Sequence, residues 1–198
     1  MISFDTDRPI ILGSTSRYRR ELLQRLGIPF EIVAPEVDES ARPNETTQTL
    51  ATRLALAKAQ AVAHRHPRAV VIGSDQVADL HGEALGKPGN HARAVDQLQR
   101  MRGQTVIFQT AVAVVCHELN FERVQLAPVV VKFRNYSDAE IESYLLRETP
   151  YDCAGSAKSE GLGIAMLDSI ESDDPSALVG LPLIRTCGML RAAGVRLL

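Results

Sequence analysis

The stretch that decides the fold is Ile10-Ile11-Leu12-Gly13-Ser14-Thr15-Ser16-Arg17-Tyr18-Arg19-Arg20, near the start of the chain. Three apolar residues followed by a glycine and a Ser/Thr-rich turn predict a short buried strand that ends in a loop. Leucines then recur at helical spacing until Gly27, so we expect a helix over Arg19–Leu26. The segment thus predicts a strand, a turn and a helix in that order.

The rest of the chain alternates between strand and helix patterns. Further strands are predicted over Phe30–Ala34, Ala69–Gly73, Thr105–Cys116 and Val124–Phe133. A hairpin that turns at His81-Gly82 is predicted in Val77–Leu85. Further helices are predicted from Thr46 or Thr47 to His64, over His91–Met101, from a capping box at Ser137 to about Arg147, and over Pro182–Ala193. The two long middle strands are expected to pair as a hairpin. This mixture indicates an α/β fold, a mixed sheet flanked by helices, in one domain over residues 1–198.

Composition limits the functions that fit. The 198 residues are 45% hydrophobic, and 22 basic against 24 acidic residues give a net charge of −2. No overall field therefore draws the chain to nucleic acid or to a membrane, and an anion site has to be local. No apolar stretch approaches the ~20 residues that span a bilayer, and Met1–Arg8 has acids where a signal peptide has bases. We expect a cytoplasmic protein.

Three cysteines, Cys116, Cys153 and Cys187, are an odd number and contain no C-x-x-C pair. This spacing fits a reducing compartment better than a disulfide framework. We expect buried, inert thiols.

The basic turn after the first strand is a candidate anion site. Ser14, Thr15 and Ser16 offer hydroxyl groups, and arginines follow at positions 17, 19 and 20. Cations at a helix N-terminus oppose the helix dipole, and an anionic ligand would resolve that conflict. A solvated basic turn with a serine as N-cap explains the same residues, so both interpretations stay open on local evidence.

Acidic residues form a second candidate site. Asp75 directly follows the apolar run Val70–Ser74, where a carboxylate is costly unless it is paired, hydrogen-bonded or near a metal. Glu36, Asp38 and Glu39 crowd the proline-bounded loop Pro35–Glu45. Carboxylates of this kind suit Mg²⁺, although an exposed acidic loop is the plainer interpretation of that cluster.

Two lysines complete a possible triphosphate cage. They are Lys58, near the middle of the long predicted helix, and Lys87, in the turn Gly86-Lys87-Pro88. Competing signatures are absent, since the chain has no G-x-x-x-x-G-K-[ST], G-x-G-x-x-G, G-x-S-x-G or H-E-x-x-H. Its five histidines have no zinc-ligand spacing.

Taken together, these motifs resemble the Maf family of nucleoside triphosphate pyrophosphatases. The matching segments are Ser14-x-Ser16-x-x-Arg19-Arg20, Glu39, Lys58, Ser74-Asp75-Gln76, Gly86-Lys87-Pro88, Ser159-Glu160-Gly161 and Val179-Gly180-Leu181-Pro182. The match is collinear from about Ile10 to Arg191. The resemblance implies an elongated ITPase-like α/β fold with two lobes around a central cleft, a divalent metal (Mg²⁺ or Mn²⁺), commonly a homodimer, and a house-cleaning role in nucleotide metabolism.

The resemblance also implies residue roles. Asp75 matches the catalytic proton acceptor of the family, and with Glu39 it would hold the metal. Phosphate binding falls to Ser14, Ser16, Arg19, Lys58 and Lys87. The reaction would release the nucleoside monophosphate and pyrophosphate by attack of water on the α-phosphorus.

Tyr18, Gln76 and Glu160 bear on the base. The branch of the family that acts on thymidine and uridine triphosphates has Arg, Thr and Gln there, whereas this trio resembles the branch that hydrolyses 7-methyl-GTP, which usually has Trp in place of Tyr18. An aromatic face attracts the positively charged methylated guanine, and a carboxylate complements guanine's N–H donors. The plainer alternative is that Tyr18 packs on its helix and Glu160 is a solvated loop acid.

The chain departs from the family pattern at Arg17, where Pro is usual, and at Gly13, where Ala is usual. Two rival functions therefore stay open: a pyrophosphatase for pyrimidine or other modified nucleotides, and a non-catalytic nucleotide-binding regulator of cell division. The joint presence of Asp75 and Glu39 favours an enzyme.

Overall fold

The computed structural model describes residues 8–198; most of the acidic start that argues against a signal peptide lies outside this range. The strands are β1 (Ile10–Leu12), β2 (Glu31–Ile32), β3 (Val70–Leu80), β4 (Glu83–Leu85), β5 (Thr105–Cys116), β6 (Phe121–Phe133) and β7 (Leu167–Glu171). The helices are α1 (Arg17–Gln24), α2 (Thr47–Arg65), α3 (His91–Met101), α4 (Asp138–Glu148) and α5 (Leu183–Ala192). Short 3₁₀ turns cover Ala154–Ser156, Leu162–Met166 and Pro175–Val179.

The strands form one mixed sheet in the order β2-β1-β3-β5-β6-β7, with β4 paired to β3. β1 runs parallel to β2 and β3, and the other pairs are antiparallel. The predicted α/β class, the mixed sheet and the pairing of the two long middle strands are confirmed. None of the helices within residues 8–198 is both long and apolar enough to cross a membrane.

The central strand β3 has a gap along one side. On that side it pairs with β1 over Val70–Ile72 and with β4 over Ala78–Leu80, while β5 pairs with its other side from Val71 to Asp79. On that side, residues 73–77 therefore have no neighbouring strand, because β1 ends there and the turn into α1 begins. This gap places the middle of β3 beside the N-terminus of α1.

The sequence prediction placed Asp75 after the end of a strand, and this was wrong. β3 continues to Leu80, because β5 supplies hydrogen-bonding partners far beyond the last residue of β1. Asp75 thus lies mid-strand, opposite Ala111. The sequence prediction missed β7, because its residues are largely exposed and alternate weakly. The strand predicted over Phe30–Ala34 is shorter in the structure, where β2 is only two residues long.

Gly73 explains how a lysine reaches this carboxylate. An added Cβ at Gly73 would lie 2.3 Å from the carbonyl oxygen of Ala55 and 2.6 Å from the amide nitrogen of Ala59, so α2 packs directly on β3 at this glycine. Because side chains alternate along a strand, Asp75 shares the face of Gly73. It therefore points toward Lys58, one residue before Ala59 in α2.

Buried apolar side chains fill three clusters, one under α2, one under α1 and α5, and one under α3 and α4. The expectation for the cysteines was only partly right. Cys116 is buried in the sheet, but Cys153 and Cys187 are half-buried, because they lie on a loop and on the outer part of a helix.

We expect Gly73→Ala to lower the free energy of unfolding by about 3 kcal/mol, since the new methyl group meets backbone atoms that cannot move aside. Gly188→Ala is the control, because a Cβ there meets nothing within 4 Å and alanine favours the helix by ~0.5–1 kcal/mol. Urea unfolding followed by circular dichroism measures both. Equal stabilities for the two variants would contradict the close packing of α2 on β3.

Candidate active site

One cleft, with a volume of about 710 Å³, opens at the gap in β3. All the residues predicted for the site line it: Ser14, Ser16, Tyr18, Arg19, Glu39, Lys58, Asp75, Gln76, Lys87 and Glu160. They come from β3, α1, α2 and four loops that are distant in sequence. The structure brings them together, while the role of each stays a prediction.

Lys58 joins the two predicted metal-binding carboxylates. Its Nζ lies 2.7 Å from Oδ1 of Asp75 and 2.8 Å from Oε1 of Glu39. Lys58 and Asp75 are 5% and 7% exposed, so little water screens their attraction. Burial alone would raise the pKa of Glu39, but the hydrogen bond and charge of Lys58 outweigh it and lower that pKa.

The same two carboxylates are the residues that fit a divalent metal. Residues 8–198 contain no cluster of three or more histidine, cysteine, aspartate or glutamate side chains able to hold one. Mg²⁺ commonly binds one or two protein carboxylates and completes its shell with water and phosphate oxygens. Of the loop acids, Glu39 lines the cleft, whereas Asp38 accepts a hydrogen bond from the Ser40 amide. A metal here would compete with Lys58 for the same oxygens.

Arg19 is held in place from two sides. Its Nε donates to the carbonyl oxygen of Gly180 at 2.9 Å, and its Nη1 donates to Oγ of Ser14 at 3.3 Å. Loss of hydration lowers the pKa of Arg19, and the negative charges of Asp75 and Glu39 oppose that shift. A fixed guanidinium with a desolvation cost favours an anionic ligand that would restore its hydrogen bonds.

Ser16 caps α1, since its side chain accepts a hydrogen bond from the Arg19 amide. The first turn of α1 contains no acidic residue to offset the helix dipole. The predicted serine cap is therefore confirmed, and the same turn lines the cleft, while anion binding by this turn stays a prediction.

The opposite face of β3 supports the far wall of the cleft. Nε2 of Gln76 lies within hydrogen-bond distance of Oγ1 of Thr110 (2.9 Å) and the carbonyls of Ala177 and Leu178 (both 3.0 Å). The Ser74 hydroxyl lies 2.9 Å from the carbonyl oxygen of Gly180. Gln76 therefore anchors the Pro175–Val179 turn.

The charges in the cleft separate into two ends. In the basic end, Lys58, Lys87 and Arg19 surround Glu39 closely enough to lower its pKa. In the acidic end, the carboxylates of Asp152 and Glu160 lie near Cys153, whose thiol pKa is raised to about 11, mainly by burial. Tyr18 belongs to the acidic end, with its hydroxyl 3.4 Å from Oδ1 of Asp152. This end also contains a cation, Arg17, whose Nη2 lies 4.0 Å from Oδ2 of Asp152.

Glu148 fixes the loop that carries Glu160. Its Oε1 accepts from the Leu162 amide and its Oε2 from Nζ of Lys158, each at 2.6 Å. Sequence reasoning gave no role to Glu148, Asp152 or Gly180. The motif around Gly180 was a usable signal, but nothing in the loop from Tyr151 marked Asp152.

A family model described as Maf-like protein matches residues 9–193. The chain belongs to the Maf-like family. The predicted family membership and fold are therefore confirmed, and the match spans every residue that lines the cleft.

Curated Maf-like relatives resemble this chain over nearly its full length. A protein of Albidiferax ferrireducens (strain ATCC BAA-621 / DSM 15236 / T118) is 72% identical over 191 residues, 96% of each chain. Another, of Aromatoleum aromaticum (strain DSM 19018 / LMG 30748 / EbN1), is 60% identical over 188 residues, 95% of this chain and 97% of its own. Both carry the name 7-methyl-GTP pyrophosphatase.

Lys58→Met should be the most destabilising change in the basic end, by about 3–5 kcal/mol, because it leaves a buried carboxylate without its partner. Asp75→Asn should cost less, since Lys58 keeps Glu39. Glu39→Gln should cost under about 1 kcal/mol, because this glutamate is mostly exposed. Urea unfolding of these variants and of Lys58→Met/Asp75→Asn measures the coupling. Additive effects would contradict the bridge.

Proposed function

We propose that this Maf-like protein hydrolyses 7-methyl-GTP to 7-methyl-GMP and diphosphate. At the level of enzyme class, a hydrolase acting on acid anhydrides is confirmed, since relatives 60% and 72% identical are named pyrophosphatases. One observation carries the finer proposal. A single cleft joins a basic end, which suits a triphosphate, to an acidic end with an aromatic ring, which suits a positively charged base.

The basic end would bind the triphosphate. Arg19 is held rigidly by Gly180 and Ser14, Lys87 lies exposed in its turn, and the capped N-terminus of α1 offers backbone amides. Fixed donors of this kind stabilise charge that develops on a departing pyrophosphate. Lys58 contributes a buried positive charge to the same region.

Asp75 is the base in this proposal. Lys58 holds its Oδ1, which leaves Oδ2 to accept a proton from water. As the proton moves to Asp75, the water oxygen bonds to the α-phosphorus, the bond from that phosphorus to the bridging oxygen breaks, and pyrophosphate leaves with the bond electrons. Mg²⁺ or Mn²⁺ held by Asp75 and Glu39 would acidify the water and neutralise phosphate charge.

The acidic end would bind the base. The ring of Tyr18 offers a face that attracts a cation, and Glu160 offers acceptors for the N–H donors of guanine. Uracil and thymine are uncharged and present fewer such donors, so this end favours a methylated guanine over a pyrimidine.

Pyrophosphate release tests the proposal, with Mg²⁺ and 7-methyl-GTP, GTP, UTP or dTTP as substrate. We expect 7-methyl-GTP to give the highest kcat/KM. Asp75→Asn should lower kcat by about 10²–10⁴-fold, because the amide cannot take the proton. Asp96→Asn is the matched control, an exposed aspartate on α3 away from the cleft.

The outcomes separate the rival functions. Inactivity of the unmodified protein on every triphosphate would exclude the proposed reaction and favour a nucleotide-binding regulator. A preference for UTP or dTTP would exclude only the assignment of the base. Full activity of Asp75→Asn would remove Asp75 as the base.

A further inference from the structure

The ring of Tyr18 already carries a cation in this structure. The guanidinium carbon of Arg17 lies 4.6 Å from the ring centroid, and Nη2 of Arg17 donates to the Tyr18 hydroxyl at 2.6 Å. A cation within about 6 Å of an aromatic centroid is attracted by the negative face of the ring. The face that a positively charged base would use is thus one to which the protein supplies its own positive group.

Asp152 adds a carboxylate to the same place. Its Oδ2 lies 4.0 Å from Nη2 of Arg17, and its Oδ1 is 3.4 Å from the Tyr18 hydroxyl. An aromatic face and a carboxylate that meet at one point are the two parts of a cation-binding site. Arg17 occupies this site, and both Arg17 and Asp152 line the cleft.

The ion pair between Arg17 and Asp152 is weak enough for a ligand to displace Arg17. The side chains of Arg17 and Asp152 are 57% and 55% exposed, and exposed pairs of this kind contribute little to stability. Arg17 is also a long side chain at the first position of α1, so it can turn into solvent while the helix stays in place. The opposing carboxylate remains in the cleft.

We propose that Tyr18 and Asp152 form a subsite for the positively charged ring of a methylated purine, and that Arg17 occupies it until the base displaces its guanidinium. This inference rests on the proposed function. Asp152 is then a specificity-determining residue that favours the charged base over neutral guanine. Arg17 opposes it, because two positive groups cannot share one aromatic face and one carboxylate without repulsion.

Isothermal titration calorimetry with 7-methyl-GDP and GDP, in Mg²⁺, tests the subsite without requiring turnover. The readout is the ratio of the two dissociation constants, because loss of charge near the phosphates changes both ligands alike. We expect Asp152→Asn to lower the preference for 7-methyl-GDP by about 5–10-fold. Arg17→Gln should raise that preference by about 3–10-fold.

Arg25→Gln is the matched control. It removes the same charge from an exposed arginine at the other end of α1, so the ratio should not change. Asparagine is close in shape to aspartate, and circular dichroism of each variant verifies its fold. A double variant, Arg17→Gln/Asp152→Asn, should lose most of the gain that Arg17→Gln gives alone.

Two results would overturn the subsite: an unchanged ratio in Asp152→Asn, whether or not both ligands weaken equally, or a lower ratio in Arg17→Gln. Equal weakening would mean that Asp152 only positions its loop. Failure of the proposed function looks different. If the protein hydrolysed UTP best, and Asp152→Asn still lowered the preference for 7-methyl-GDP, the subsite would stand but 7-methyl-GTP would not be the substrate.

Discussion

The contact on which the site depends is the close packing of α2 against β3 at Gly73. Because no side chain separates the two backbones, the lysine one position before Ala59 reaches Asp75 on the same face of the strand. The buried ammonium and carboxylate then stabilise each other, and Glu39 is drawn from its loop to the same ammonium. A larger residue at Gly73 would push α2 away from β3, and Lys58 would no longer reach Asp75.

The two faces of β3 position different parts of the cleft. Asp75 faces α2 and the basic end, whereas Ser74 and Gln76 bind the Pro175–Val179 turn and Gly180 on the other side. Gly180 in turn fixes Arg19, so both faces of one strand determine where the cationic groups of the cleft stand. Three consecutive residues thus connect the proposed base, the carbonyl that holds Arg19 and the Pro175–Val179 turn. On the side of β3 away from β5, these three residues have no neighbouring strand.

The sequence allowed the class of fold and the members of the site to be predicted, because both depend on local patterns and on motifs in a recognisable order. The β-branched residues of Thr105–Cys116 and the capping box at Ser137 were sufficient to predict a strand and a helix. The position of Asp75 within its strand was not predictable in the same way. Strand length here is set by the partner β5, and pairing between distant segments leaves no mark in the local sequence.

The role of Gln76 as an anchor and the proximity of Asp152 to Tyr18 were hidden for the same reason, since each contact joins segments about 100 or more residues apart. Exposure of Cys153 was misjudged because this cysteine lies on a loop whose contacts, such as the one with Tyr18, come from distant parts of the sequence. The mid-strand position of Asp75 has an evolutionary consequence. The proposed base is fixed in the sheet next to Gln76, while Tyr18, Asp152 and Glu160 lie outside it. Substitutions at these three outer positions can therefore alter the choice of nucleotide while the strand that holds the proposed base stays unchanged.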